Sequence, residues 1–90
     1  MTKQKQKALI AFKKASSLLS KIVSMVENDE YCMNVMQQNL AAIGLLRSAH
    51  EMLMENHLNT CFKRAMETGS SPTKKRMANE ILKVTNLFNK

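Results

Sequence analysis

The longest run of this chain without a turn signal lies between NDE at 28–30 and GSSP at 69–72. Its only glycine is Gly44, and it contains no proline. From Ala42 to Leu53, apolar residues recur there at alternating spacings of four and three, the period of a helix that packs against other helices, and His57 follows four residues later. The residues on this seam are Ala42, Leu46, Ala49, Leu53 and His57. The pattern predicts one long helix over about 30–67.

A second helix precedes this run and a shorter one follows it. Gly69 stops the long helix, Ser70 is a candidate cap, and Pro72 fits the first turn of a helix over about 72–88. The earlier helix is expected over about 8–27, after a basic arm at 1–7. Its seam, with the same alternating spacings, is Ala8, Phe12, Ala15, Leu19, Ile22 and Val26.

These three helices define the fold class. The composition agrees, with two glycines, one proline, one tyrosine and no tryptophan. Two of the helices are too long and too flat-sided to be buried within 90 residues. We therefore expect a single all-α domain over 1–90 whose three-helix protomers associate into an intermolecular bundle.

The charge is positive and uneven. Fourteen Lys and Arg stand against seven Asp and Glu, and six lysines precede the first acid, Glu27. This excess indicates a polyanionic partner, with a solvated helix face as the simpler alternative. No apolar run is long enough for a membrane span or a signal peptide, so we expect a cytoplasmic protein without a membrane partner. No catalytic motif or phosphate-binding loop suggests an enzyme or a small-molecule substrate.

Metal binding is suggested by the segment HLNTC at 57–61. His57 and Cys61 are four apart, so they lie on one helix face and can bind the same ion. Cys32 stands 25 positions earlier, which at ~1.5 Å per residue is nearly 40 Å away on an unbroken helix. In an antiparallel dimer, however, Cys32 of one chain would lie near His57 and Cys61 of the partner subunit. Two thiolates and an imidazole suit Cu(I) better than zinc, which usually takes a fourth ligand.

Two other interpretations of these residues remain open. Cys32 and Cys61 of the partner subunit could take part in persulfide chemistry, or the protein could be a structural bundle without a metal role. In the second case the histidine and both cysteines are packing residues. The methionines are interpreted as core filler in either case; they are Met25, Met33, Met36, Met52, Met54, Met66 and Met77.

The segments MVENDEYC and ENHLNTC also carry a family resemblance. Tyr31-Cys32 followed by His57-x-x-x-Cys61 resembles the copper-sensing CsoR branch of the CsoR/RcnR/FrmR repressors, over about residues 8–88. The resemblance implies a disc-like dimer of dimers that binds operator DNA without metal and releases it when Cu(I) binds across the dimer interface. It implies Cys32, His57 and Cys61 as the ligands, with Tyr31 and Glu80 supporting them from outside the coordination shell.

The same positions distinguish this chain from other branches that resemble it. Nickel and cobalt sensors carry His at the position of Cys61, and formaldehyde sensors carry an acid there and a proline at the position of Thr2. Persulfide sensors lack the histidine that stands here as His57. The resemblance therefore favours copper sensing.

The first helix departs from the family pattern Arg-x-x-Gly-Gln-x-Arg-Gly, which is tied to DNA contact. The matching run is KKASSLLSK, in which Lys14 replaces the first Arg, Ser17-Leu18 replaces Gly-Gln and Ser20-Lys21 replaces Arg-Gly. Backbone contact with duplex DNA needs only positive charge. The candidate DNA-binding residues are Lys13, Lys14, Lys21, Arg47, Lys74, Lys75 and Arg76. The alternative function is a copper-buffering or copper-delivery protein of the same fold that no longer binds an operator.

Overall fold

The structure is a computed structural model that describes residues 1–90. It is all-α, as the sequence predicts, and has no strand. No helix is both long enough and apolar enough to cross a membrane. Two compact units, Met1–Asn56 and His57–Lys90, are described in turn. The elements are α1 (Lys3–Glu27), α2 (Cys32–His57), a π-helical segment (Leu58–Phe62), α3 (Lys63–Thr68) and α4 (Ser71–Phe88).

Helix α1 begins at Lys3, so the expectation of a separate basic arm at 1–7 is wrong. Thr2 has extended backbone angles, and its hydroxyl accepts a hydrogen bond from the Lys5 amide at 3.2 Å. This is N-capping, which satisfies one of the donors that a helix leaves open at its start. The lysines of the arm are therefore held on a helix.

The segment NDE ends α1. Asp29 has a φ of 54°, the left-handed conformation that Asp tolerates better than most residues. Its amide donates to the Val26 carbonyl and the Glu30 amide donates to the Met25 carbonyl, both at 3.0 Å, which is the Schellman pattern. Helix α2 begins two residues after this motif, at Cys32. The Tyr31 carbonyl accepts the first backbone hydrogen bonds of this helix.

In the first unit, α1 and α2 pack as an antiparallel hairpin. The core cluster joins Ala8 and Ala11 of α1 to Ala49 of α2, and Met52 packs against it. Apart from Met25, every buried apolar residue in the chain is an alanine, and no large side chain is fully buried. Small side chains let the two helices approach closely, but they bury little apolar surface.

On each helix the buried seam keeps one of the two predicted rows and is rotated away from the other. On α1, Ala8 and Ala15 are buried as predicted, but Ala11 and Met25 accompany them. Phe12, Leu19 and Val26 are 39%, 45% and 61% exposed. On α2, Ala42 and Ala49 are buried together with Asn56, while Leu46 and Leu53 are 42% and 37% exposed. The hairpin selects the rows of small residues and leaves the rows of larger ones uncovered.

Asn56 is the one buried polar residue of the chain, with 5% of its surface exposed. The Thr2 hydroxyl donates to its Oδ1 at 2.5 Å while accepting from Lys5. One hydroxyl therefore caps α1 and ties its first turn to the last turn of α2.

Replacing Asn56 by alanine should destabilise the hairpin. The change leaves the Thr2 cap in place and removes the tie, at an expected cost of about 1–2 kcal/mol of unfolding free energy. Chemical denaturation followed by circular dichroism, at equal protomer concentration, measures it. Gln37→Ala is the matched control, because Gln37 is exposed on the same helix. Equal losses in the two variants would mean that the tie contributes nothing.

The second unit holds the π-helical segment, α3 and α4. Gly69 separates the two helices with extended backbone angles, and its amide donates to the Ala65 carbonyl at 2.8 Å. A Cβ at Gly69 would collide with that carbonyl oxygen, so the residue must stay a glycine for this turn to form. Ser70 caps α4 by accepting from the Thr73 amide, and Pro72 lies in the first turn.

Candidate metal centre

The first candidate ligand, Cys32, is the first residue of α2. It is a free thiol on the surface, directly after Tyr31, which is 70% exposed. The Tyr31 carbonyl accepts from the amides of Asn34 and Val35, so the thiol is held on the first turn of a formed helix.

The other two candidates lie at the far end of the same helical run. His57 is the last residue of α2 and is half-buried, while Cys61 is an exposed free thiol in the π-helical segment. A π-helical turn holds one more residue than an α-helical turn, and such turns are frequent at functional sites. Thr60 donates its hydroxyl to the Cys61 sulfur at 3.6 Å. The structure therefore keeps His57 and Cys61 about one turn apart, as the sequence predicts, and adds a hydrogen-bond donor to the thiol.

The candidate ligands at the two ends of α2 share one side of the helix. At 3.6 residues per turn, Cys32, Leu46, Leu53 and His57 fall within an arc of about 60°. The two leucines are uncovered in the chain. We call this side, from Cys32 to His57, the open face of α2. It carries a candidate ligand at each end and Leu46 and Leu53 between them, and Asn39 and His50 fall on the same arc.

No group of three or more His, Cys, Asp or Glu side chains comes together within the chain. This is expected, because Cys32 and His57 are the two ends of a 26-residue helix, which spans about 38 Å at ~1.5 Å per residue. The donor set itself fits a soft monovalent metal, since it offers two accessible thiols, one imidazole and no carboxylate. A second copy of the chain is needed to bring the two ends together.

No contact within its unit places Glu80 beside a candidate metal ligand. It lies on α4, and its carboxylate is 3.6 Å from Nε of Arg76, one turn earlier. Both side chains are more than half exposed, so this ion pair contributes little to stability. The predicted outer-shell residue is thus paired with a predicted DNA-binding residue.

The remaining candidate DNA-binding residues lie on three helices. Lys13, Lys14 and Lys21 are exposed on α1, and Arg47 is exposed on α2. Lys14 and Lys21 are seven residues apart and, with Lys7, form one row along α1. The first turns of α4 carry the third group, in which Lys74 is half-buried and Lys75 and Arg76 are exposed.

The interpretation of the methionines as core filler holds for Met25, which is buried, but is wrong for two others. Met33 and Met36 are 50% and 56% exposed, on the first turns of α2 next to Cys32. Their sulfurs are accessible because the alanine seam of the hairpin lies on another side of the helix.

Three relatives are similar to this chain. The copper-sensing transcriptional repressor CsoR of Mycobacterium ulcerans is 39% identical over 69 residues, 77% of this chain and 59% of that protein. The copper-sensing transcriptional repressor RicR of Mycobacterium tuberculosis is 32% identical over 68 residues, 76% of this chain and 71% of that protein. CsoR of Bacillus subtilis is 27% identical over 89 residues, 99% of this chain and 85% of that protein.

The similarity to the mycobacterial CsoR proteins spans less than two thirds of their length. The family model described as metal-sensitive transcriptional repressor, in contrast, matches residues 4–88, which include every candidate ligand. The resemblance seen in the sequence is confirmed, and the description is one of repressors rather than enzymes. Over nearly its whole length, this chain belongs to the metal-sensitive transcriptional repressor family.

Proposed function

We propose that this protein is a copper-responsive transcriptional repressor. Without metal it binds duplex operator DNA as an oligomer, and Cu(I) binding to Cys32 together with His57 and Cys61 of the partner subunit releases the DNA. The names of the related repressors support copper as the signal. The soft donor set supports Cu(I) as its oxidation state.

The observation that carries this proposal is the open face of α2. Its leucines are uncovered in a chain that has no large, fully buried side chain. Exposed apolar surface of this extent indicates an interaction site. The candidate ligands stand at the two ends of that face, so the contact that covers the leucines also joins the ligands.

The assembly that satisfies both requirements is an antiparallel dimer. Its two α2 helices pair about a two-fold axis, and the α1–α2 hairpins form a four-helix bundle. Setting Cys32 opposite the partner's Cys61 brings Leu46 next to the axis. Each dimer then holds two identical metal sites, one at each end of the α2 pair. A dimer of these dimers is the tetramer that the family resemblance implies.

Operator binding is assigned to the lysine row of α1. Lys7, Lys14 and Lys21 project from one side of a continuous helix, and the net charge of the chain is +7. Lysines in such a row neutralise DNA phosphates without reading the base sequence. Arg76 adds a guanidinium whose present partner is Glu80.

Copper and DNA then oppose each other by linkage. If the metal favours one arrangement of the bundle and the operator favours another, each weakens binding of the other by the same factor. In the proposed dimer each Cu(I) joins the start of one α2 to the end of the partner's α2, and α1 is tied to the last turn of α2 through Thr2 and Asn56. This gives a route by which occupancy at the open face reaches the lysine row.

Fluorescence anisotropy with duplex DNA from upstream of the protein's own gene tests the proposal. We expect the metal-free protein to bind with a steep salt dependence, and one Cu(I) per chain to weaken that binding by at least about tenfold, within the usual range of allosteric coupling. Lys14→Gln should reduce the salt slope by about one for each lysine–phosphate interaction that it removes. Lys90→Gln, which removes a charge beyond the last helix, is the matched control.

The same assay separates the second candidate function. A copper-buffering protein is favoured by the replaced residues of the first helix, where Ser17-Leu18 and Ser20 stand in the family's DNA-contact pattern. Tight Cu(I) binding without any DNA binding at low salt would establish that function instead. DNA binding that copper leaves unchanged would exclude the switch.

A further inference from the structure

Two polar residues, Asn39 and His50, lie among the apolar side chains of the open face of α2. Asn39 is exposed in the chain and His50 is half-buried. We propose that Asn39 forms a hydrogen bond with His50 of the partner subunit, and that this pair, present twice in each dimer, sets the register of the two α2 helices. The inference rests on the proposed function, because it starts from the antiparallel dimer.

The open face contains a seam with a strict helical period. Its residues follow each other at spacings of four and three in alternation, the pattern of a helix that pairs along its length with another helix. The eight positions are Cys32, Met36, Asn39, Ile43, Leu46, His50, Leu53 and His57. The four apolar side chains among them are between 37% and 56% exposed, so all of them are available to a partner helix.

The order of residue types along this seam is the same from either end. An antiparallel dimer sets the first position of one chain opposite the eighth of its partner, the second opposite the seventh, and so on. Candidate ligands then face each other in the outermost layers, and apolar residues face each other in the second and fourth layers. The third layer sets Asn39 opposite the partner's His50. Every layer thus joins residues of the same chemical kind.

The metal site alone leaves this register open by about one helical turn. Cys32 can lie opposite the partner's Cys61 or opposite the partner's His57, and both settings bring the three candidate ligands together. The second setting is the one that matches every layer of the seam. It keeps Leu46 within two residues of the two-fold axis.

The amide of Asn39 decides between the two settings. With Cys32 opposite the partner's Cys61, this amide is buried against the partner's Met54, and a buried amide without a strong hydrogen-bond partner costs free energy. A shift by four residues sets it opposite the partner's His50 instead. The asparagine amide both donates and accepts, and each ring nitrogen of a histidine can make a hydrogen bond, so the two groups are complementary.

The same pair opposes larger slips of the register. Moving one chain by seven residues keeps the helical period, but it sets Asn39 and His50 opposite residues of other layers. The same slip separates the candidate ligands by about 10 Å along the helices, too far to share one ion. A single polar layer fixes register in this way in coiled coils, at some cost in stability. The pair therefore aligns the ligands before any metal binds.

A double-mutant cycle on the full-length, metal-free protein tests the pair. Analytical ultracentrifugation at pH 8 measures the dimer dissociation constants of Asn39→Leu, His50→Leu and the double variant. Each single change sets two polar groups per dimer against leucine, and the dimer should weaken by about tenfold. The double variant turns both polar layers into leucine pairs. It should dimerise at least about fivefold more tightly than the product of the single effects predicts.

Gln37 provides the matched control for this cycle. It is exposed on the side of α2 opposite the open face. The effects of Gln37→Leu and His50→Leu should therefore multiply without coupling. If Asn39 and His50 are coupled no more strongly than this control pair, they do not face each other and the inference is overturned.

A second measurement uses the unmutated chain. Isotopically labelled and unlabelled chains are refolded together, and isotope-filtered nuclear Overhauser spectra then report only contacts between subunits. We expect a contact between the side-chain amide of Asn39 and the ring of His50. An amide that contacts the Met54 methyl group across the interface, and not the His50 ring, would overturn the pair.

These outcomes are separate from those of the proposed function. Tight Cu(I) binding that depends on Cys32, in a dimer without the coupling and without the contact, would overturn the pair and leave the repressor proposal standing. A coupled pair in a protein that binds no operator DNA would do the reverse. A protein that stays monomeric at every concentration would overturn both.

Discussion

Cys32→Ala and Cys61→Ala should each abolish tight Cu(I) binding, and an equimolar mixture of the two variants should recover part of it. Each single variant lacks one thiolate in both sites of its homodimer. We expect its Cu(I) affinity to fall by at least ~10²-fold, because even groups outside the coordination shell cost 10- to 100-fold. Metal-free DNA binding should persist, since neither cysteine belongs to the lysine row.

The mixture is informative because of the two-fold symmetry. A heterodimer has one site that lost both cysteines and one site that keeps both, the intact site being formed by Cys32 of one chain and Cys61 of the other. After unfolding and refolding together, about half of the dimers are mixed, so about a quarter of a copper per chain should bind tightly. Chelator competition on the single variants and on the co-refolded mixture measures this.

The control mixes each variant with itself under the same treatment and should recover nothing. Tight Cu(I) binding by one variant alone would mean that the cysteine it lacks is not a ligand. No recovery in a mixture that does form heterodimers would mean that the two cysteines do not act across the interface. Mass spectrometry of the intact dimers establishes that the heterodimers are present.

How much of this molecule could be predicted from its sequence depends on the kind of information. The all-α class followed from helical periodicity and from the two breaks at 28–30 and 69–72, which are local signals. The start of α1 after Thr2 was not predicted. The first turn is made of lysines alternating with glutamines, a composition that is also typical of a solvated arm. Helix boundaries are decided by single hydrogen bonds that periodicity does not reveal.

The rotation of the buried seam has a different physical cause. Each helix has three adjacent apolar rows, and periodicity alone cannot say which two face the neighbouring helix. On α2 the predicted seam combined the row of Leu46 and Leu53 with the row of Ala42 and Ala49, which continues to Asn56. The hairpin buried the second because alanines allow close approach and because Asn56 found a donor in Thr2, 54 residues away.

The candidate site was predictable to the extent that it depends on spacing along one helix. His57 and Cys61 followed from a separation of four residues, and Cys32 followed from the antiparallel geometry that its distance demands. Met33 and Met36 were wrongly predicted to be core filler because methionine usually fills cores, and the structure shows that both are exposed. The π-helical turn at Cys61 could not be predicted, since nothing in LNTCF distinguishes it from an α-helical turn.

Leu46→Lys should dissociate the dimer and with it remove both copper and DNA binding. Leu46 lies on the open face of α2 and is 42% exposed in the chain, so the hairpin tolerates a lysine there. In the antiparallel register Leu46 lies next to the two-fold axis, close to Arg47 of the partner subunit. The substitution therefore brings two new charges together at the centre of the interface, beside two existing ones.

The expected cost is at least about 3 kcal/mol, which corresponds to a dimer weakened by more than about 10²-fold, because an uncompensated buried charge is expensive. Analytical ultracentrifugation over a range of protein concentrations measures the change. Gln37→Lys adds the same charge on the opposite side of α2, where the side chain is exposed, and should leave the dimer intact. Circular dichroism must show equal helicity in both variants for the comparison to hold.

The result also tests why copper and DNA binding belong to one assembly. If the open face is the interface, Leu46→Lys removes the ligands contributed by the partner, and tight Cu(I) binding is lost although Cys32, His57 and Cys61 are all present. It also halves the number of lysines presented to a DNA duplex, so the salt slope of any residual DNA binding should fall by about half. A Leu46→Lys protein that stays dimeric and binds Cu(I) like the wild type would place the interface elsewhere and remove the basis for a site shared between subunits.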